Sequence, residues 1–378
     1  MPKNIALYIH VPYCLEKCPY CDFHSVATSG APIPEIDYAD VLIRQLKWEV
    51  ERLEIKGSAL ASVFFGGGTP SLMKPEFFGK VLSAVSEQFD FDSSIEITVE
   101  TNPASALLKN FQAWRAFGIN RISFGVQSFQ EHLLKKLGRR HTPQEAREAI
   151  QSAREAGFDN ISCDFIFGIE EETLEDLEKD LKEALSFDLP HISAYQLTVE
   201  SGTPLAVWVK EGTFHLPDED HLVMMHKKTV ELLENGGLKR YEISNYSKIG
   251  LESRHNLQYW RYGDCLGIGS GAVSCVNGKR WRTTRKLKNY LSGNWDYEDE
   301  ETISDKTALK EKWMMGLRLA EGVELDPVLH QKWGSTLSKW EKDGLLQLKE
   351  GRVVLTEEGF LMSNWVTQNI FEMIEKVC

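Results

Sequence analysis

The sequence predicts an α/β protein: a partial (β/α)6 barrel of the TIM-like kind, followed by a C-terminal helical, winged-helix-like module. Three observations carry this. Short apolar runs alternate with amphipathic stretches six times over roughly the first 200 residues, the pattern of a parallel sheet with crossover helices. Stop and start signals punctuate those stretches where each helix should begin or end. From about Ile303 the pattern changes to helix, hairpin and helix.

In chain order, the strand candidates are Ala6–His10, Ser62–Phe65, Ile95–Val99, Arg121–Gly125, Asn160–Phe167 and His191–Leu197. Helical periodicity fills the gaps at Tyr38–Leu53, Pro75–Gln88, Ala104–Phe117, Pro143–Ala156, Leu174–Phe187 and Asp218–Asn235. Thr142 caps Pro143 at the first helical position, with Glu145 completing a capping box. Gly118, Gly157 and Gly236 fall where helices should stop. Consecutive β-α units favour a barrel over an open doubly wound sheet. Beyond it, Thr307–Leu319, Pro327–Lys332 and Leu337–Asp343 read as helices, the last closed by Gly344. Leu345–Leu348 and Val353–Leu355 flank a hairpin turn, and Gly359–Val377 is a final helix. The expected organisation is a barrel over 1–240, a barrel-closing and connecting segment over 241–300 and the C-terminal module over 301–378.

The chain has 378 residues and a formal net charge of −13, with 42% hydrophobic and 26% charged residues. Those values exclude a disordered chain or a small disulfide scaffold. The acidic balance argues against nucleic acid as a partner. No stretch is long and apolar enough for a membrane span, and Met1–His10 carries no export signal, so a soluble cytoplasmic protein is expected.

Seven cysteines are too few for a disulfide framework, and Cys163, Cys265, Cys275 and Cys378 read as small buried hydrophobes. Cys14, Cys18 and Cys21 differ: a three-residue gap and then a two-residue gap put three thiolates on one loop. They can hold three irons of a 4Fe–4S cluster and leave the fourth open to an outside ligand. A structural zinc site would need four closed ligands. His24 could supply a fourth, but no second ligand pair accompanies it.

Further candidates follow the strands. Gly66-Gly67-Gly68-Thr69-Pro70 comes directly after the second, where glycines let the backbone approach a ligand. Glu100 ends the third strand, and Gln127 ends the fourth with Arg139 one helical stretch later. Asp164 sits inside the fifth, where a carboxylate is expensive without a partner. The cysteines, the glycines, Glu100 and Gln127 all fall at C-terminal strand ends, the face where barrels build their sites.

The cysteine loop resembles that of the radical S-adenosylmethionine (SAM) superfamily. There the amino and carboxylate groups of SAM chelate the open iron, and an electron from the reduced cluster cleaves the sulfonium to a 5′-deoxyadenosyl radical. Beyond the loop, His10-Val11-Pro12-Tyr13-Cys14, Gly125-Val126-Gln127-Ser128, Asp164–Gly168 and Tyr241-Glu242-Ile243-Ser244-Asn245-Tyr246 resemble the oxygen-independent coproporphyrinogen III oxidase group. The resemblance implies that Tyr8, Gly67, Gly68, Thr69, Glu100, Gln127, Arg139 and Asp164 contact SAM. It also implies an electron donor to the cluster.

The oxidase branch of that group carries a further cysteine two residues after the third, and a longer N-terminal arm. This sequence has Phe23 there and only seven residues before Tyr8. Both departures are similar to the haem-chaperone branch, as is His255-Asn256-Leu257-Gln258-Tyr259-Trp260, which matches its His-Asn-x-x-Tyr-Trp haem motif. The resemblance therefore implies haem bound near His255, Tyr259 and Trp260 and passed to an acceptor protein. The alternative is oxidative decarboxylation of the propionates of coproporphyrinogen III to protoporphyrinogen IX. Glu170-Glu171-Glu172 departs from the proline-glycine turn of relatives and bears only on loop shape.

Overall fold

A computed structural model describes residues 4–376; Cys378 and the end of the expected last helix lie outside them. Six strands, β1 (Asn4–Val11), β2 (Ala59–Gly67), β3 (Glu96–Thr101), β4 (Arg121–Gln127), β5 (Asn160–Phe167) and β6 (His191–Gln196), lie side by side in sequence order. Each is parallel to the next. Strict sequential order is barrel winding; a doubly wound sheet would reverse direction at a switch point. The helices Glu35–Arg52, Pro75–Ser86, Leu108–Ala116 and Pro143–Glu155 each pack on the next along one side.

Period-two alternation explains why these strands form a barrel with a working interior. On one face Ile5, Leu7, Ile9, Val63, Phe65, Ile97, Val99, Ile122, Phe124, Ile161, Cys163 and Ile192 join a single apolar core with the helices. The intervening positions carry the polar groups: His10 on β1, Ser62 on β2, Glu96 and Glu100 on β3, Arg121 and Ser123 on β4, Asp164 on β5, His191 and Ser193 on β6. The core drives assembly by burying apolar area, and the same pleat turns these polar residues inward.

The segment after β6 holds more strand than its sequence suggests. β7 (Lys239–Glu242) and β8 (Asn245–Ser247) extend the sheet beyond β6, while β9 (Cys265–Ile268), β10 (Val273–Val276), β11 (Lys279–Thr283) and β12 (Tyr297–Thr302) extend it beyond β1. The result is a 12-stranded sheet in the order β12-β11-β10-β9-β1-β2-β3-β4-β5-β6-β8-β7. These strands are three to six residues long, and apart from Cys265–Ile268 they mix polar with apolar residues, so their sequence gives little strand signal.

Local signals hold in detail. The Thr142–Glu145 capping box forms, and Gly118 and Gly157 adopt positive φ at helix ends. At Asn235 the left-handed residue is Gly237 rather than Gly236. In the C-terminal module the expected helices Pro327–Lys332 and Leu337–Asp343 are one, Pro327–Lys342. Gly334 does not break it, because Leu329, Trp333, Leu337 and Trp340 form one continuous buried face in a separate core. The hairpin Leu346–Lys349/Arg352–Leu355 turns through Glu350 and Gly351, both left-handed, and Val323–Glu324 adds a third strand. The final helix is interrupted at Met362, giving Glu357–Leu361 and Ser363–Glu375.

Candidate functional site at the mouth of the barrel

The cysteine loop leaves the C-terminal end of β1. Tyr13–Cys14 pairs in parallel with Val26–Ala27, so the chain returns beside its own exit and closes the loop. Cys21 N donates to Cys18 O at 3.1 Å, and Lys17 Nζ donates to Phe23 O at 3.0 Å across the turn. Cys14, Cys18 and Cys21 are half-buried and unpaired. All three border a cavity of about 600 Å³, together with Gly67, Glu100, Gln127, Arg139 and Asp164.

The glycine segment is fastened to that loop. Gly68 N donates to Val11 O and Thr69 N to Tyr13 O, both at 2.8 Å. A Cβ at Gly67, at φ +110°, would stand 2.5 Å from the His10 ring, and one at Gly68 would stand 2.6 Å from Tyr13 O. The glycines are thus required for the two loops to touch, which brings Thr69 to Cys14. A Cβ at Gly66 would lie 3.0 Å from both Glu100 Oε2 and Tyr8 Cε2, so those two side chains converge across it.

The carboxyls are set by the interior. Glu100 Oε2 accepts from Gly67 N at 3.1 Å, yet burial and the neighbouring Asp164 push its carboxyl up to about 8. Asp164 accepts from Ser123 Oγ at 3.2 Å and is also raised by burial. Arg139 Nη2 donates to Gly125 O at 2.7 Å, its Nη1 lies 3.6 Å from Cys18 Sγ, and its buried Nε has no partner. Gln127 sits at φ +68°, a strained conformation of the kind that gathers at functional sites.

Tyr8 does not border the large cavity. Its hydroxyl pairs with His10 Nδ1 at 3.1 Å, and it lines a second cavity of about 240 Å³ with His24, Tyr259, Cys265 and Cys275. Phe23 lines both cavities and is 63% exposed.

His255, Tyr259 and Trp260 of the His-Asn-x-x-Tyr-Trp segment sit on the helix Arg254–Trp260 and point different ways. His255 is 2% exposed, stacks on Phe64 at 4.7 Å and shares a hydrogen bond with Ser62 Oγ through Nδ1 at 2.8 Å. Burial, then the Arg121 charge, lowers it to about 3, so the imidazole is neutral, and its Nε2 has no partner. Glu96 fixes the start of that helix by accepting from the backbone of Arg254 and His255, each at 3.1 Å. Tyr259 faces the second cavity and its hydroxyl accepts from the Cys265 thiol at 3.1 Å. Trp260 meets Arg318 of the C-terminal module, whose guanidinium lies 5.4 Å over the ring.

Sequence reading missed several interior groups: Arg121, Glu96, Tyr195 and Glu242. Glu242 is fully buried, and burial pushes its carboxyl up to about 7. For Arg121, Glu96 and Tyr195 the available signal was the recurrence of polar residues at second positions of β3, β4 and β6; Glu242, on β7, had no such signal.

Comparison with known proteins agrees with this architecture. The radical SAM superfamily model matches residues 8–184 and the HemN C-terminal domain model matches 303–362. The chain is 40% identical over 332 residues to the heme chaperone HemW of Haemophilus influenzae, covering 85% of each. It is 33% identical over 375 residues to that of Bacillus subtilis, covering 96% of this chain and 97% of the relative. The chain belongs to the HemW family of radical SAM proteins. HemW-family membership in this superfamily implies a 4Fe–4S cluster and SAM. The structure fits both: three free thiols on one closed loop face a roomy cavity, and a buried guanidinium nitrogen and two carboxyls border it. The fold is that of coproporphyrinogen III oxidase (HemN) from Escherichia coli, with a TM-score of 0.80 at 20% identity over 100% of this chain and 91% of that one. No helix among the described residues is long and apolar enough to cross a membrane.

Proposed function

We propose that this protein binds haem in the cytoplasm and delivers it to an acceptor protein. The observation that carries this is its similarity, along nearly the whole length, to relatives named heme chaperone HemW. The working division is the barrel over 1–240, the connecting segment with the haem motif over 241–300 and the C-terminal module over 301–378.

In this reading Cys14, Cys18 and Cys21 hold the 4Fe–4S cluster. A cluster held there would supply the reducing electron for SAM, drawn in turn from an electron donor. Burial pushes the thiols of Cys14 and Cys21 up, the latter to about 11, and ligation overrides this by taking the thiolates. Gly67 and Gly68 shape the floor of the SAM cavity, with Thr69 at its edge. Arg139 offers a charge-assisted bond to a carboxylate, and Glu100, Asp164 and Gln127 offer polar partners around the ligand. Tyr8 supports Glu100 from across Gly66.

Haem is the cargo. His255 supports iron ligation because its imidazole is neutral and Ser62 engages Nδ1, leaving Nε2 as the uncommitted nitrogen. Tyr259, 36% exposed, and Trp260 offer flat faces to a porphyrin.

The test is haem titration followed by absorbance, then transfer to a haem-depleted acceptor haemoprotein, with His255→Ala as the variant. Stoichiometric haem binding that weakens in His255→Ala, followed by transfer, supports the reading. Repeated anaerobic turnover of coproporphyrinogen III by the cluster-loaded protein with SAM would overturn it in favour of the oxidase.

A further inference from the structure

The strained Gln127 turn is fastened from both sides by buried side chains that do not border the cavity. A left-handed non-glycine residue costs on the order of 1–3 kcal/mol and persists only where its surroundings over-determine it. On the upstream side, His141 Nε2 meets Val126 O at 2.9 Å. Burial lowers His141 to about 4, so the ring is neutral and Nε2 carries the proton it donates. The Ser128 amide donates to that same carbonyl, also at 2.9 Å.

On the downstream side stands Asp180, from the helix Leu174–Ser186, only 3% exposed. Its carboxylate accepts from Ser128 Oγ, from Phe129 N at 2.9 Å and from Gln130 Nε2 at 2.9 Å. Ser128 itself is fully buried. A buried carboxylate demands partners, and all three donors here come from the three residues directly after Gln127. The turn they secure aligns two groups that border the cavity. A Cβ on Gly125 would stand 2.9 Å from Gln127 Nε2 and 3.3 Å from Arg139 Nη2, so both side chains converge over that glycine.

We propose that Asp180 and Ser128 are positioning residues for SAM binding: Asp180 clamps residues 128–130, and the clamp holds Gln127 in its left-handed turn beside Arg139. This rests on the reading that SAM occupies the large cavity. Side chains that orient binding groups from behind carry energy comparable to the binding groups themselves, since a misaligned donor loses its bond.

The test measures SAM affinity by anaerobic equilibrium binding to the cluster-loaded protein. The variants are Asp180→Asn, Ser128→Ala, Ser128→Thr and, as a control on the cavity, Gln127→Ala. Asp180→Asn and Ser128→Ala are expected to weaken SAM roughly 10- to 100-fold, the scale for losing an orienting partner. Ser128→Thr restores binding, and iron content and haem affinity stay at the level of the unaltered protein. Unchanged SAM affinity in Ser128→Ala, with loss in Gln127→Ala, would overturn the proposal and make Asp180 a tie between helix and strand only. Unchanged affinity in Gln127→Ala would also overturn the proposal, because the side chain that the clamp positions would then play no part in holding SAM. Should Asp180→Asn fail to fold, the Ser128→Ala and Ser128→Thr pair decides the question.

Discussion

The Thr69 hydroxyl donates to Cys14 Sγ at 3.4 Å, joining the glycine segment after β2 to the first cysteine of the loop after β1. Hydrogen bonds to ligand sulfurs are one of the levers that set iron–sulfur potentials, because they stabilise the more negative, reduced state. Thr69→Val keeps the shape and removes the donor. The reduction potential of the bound cluster is expected to fall, as read by a spectroscopic redox titration; an unchanged potential would mean that the contact has no electronic role.

Ser62→Ala strips His255 Nδ1 of its partner in a site that water does not reach. Leaving a buried polar atom unsatisfied costs about 1–3 kcal/mol. Denaturant unfolding should show a loss of that order without a change in m-value.

The raised carboxyl of Glu100 makes stability fall as pH rises. The folded state holds this proton up to about pH 8, whereas the unfolded carboxyl releases it near 4.5. The native state therefore binds more protons through that window, and the contribution is full below about 4.5 and gone above about 8. Glu100→Gln is expected to flatten the melting temperature between pH 5 and 8, roughly the interval bounded by those two values. A slope identical to that of the unaltered protein would exclude Glu100 as its source.

In the C-terminal module, Trp333 packs edge-on against Trp313 with ring centroids 5.2 Å apart, and both are buried. Trp333→Ala should destabilise the module by about 3–5 kcal/mol. Because its core is separate from that of the barrel, proteolysis should attack residues beyond 303 first, while the cluster-binding barrel stays protected. Simultaneous digestion of both parts would show that they unfold as one unit.

Much of this protein was written in local signals. The six parallel strands, the capping box at Thr142 and the cysteine spacing each rest on residues close together in the chain, so period and spacing were enough to read them. Asp164 stood out because a carboxylate interrupts an apolar run. The strands after residue 240 were illegible for the opposite reason. They are short and mostly of mixed polarity, and they become strands because the edges of β1 and β6 offer backbone partners. The single helix Pro327–Lys342, expected as two, runs on through Gly334 because the buried Trp333 and Leu337 outweigh the propensity cost of that glycine.

The chemistry divides along the same line. The residue types and spacing in the sequence determined that three thiols share a loop, that glycines follow β2 and that a histidine precedes two aromatics. Only the tertiary structure decided which of these meet. It set Thr69 on Cys14 and Arg139 beside Cys18, and it turned Tyr8 toward a second cavity. It also buried His255 behind Ser62 and gave Asp180 the turn at Gln127 to hold. Such pairings join positions tens to hundreds of residues apart. They are fixed by strand register and core packing, which no local window of sequence contains.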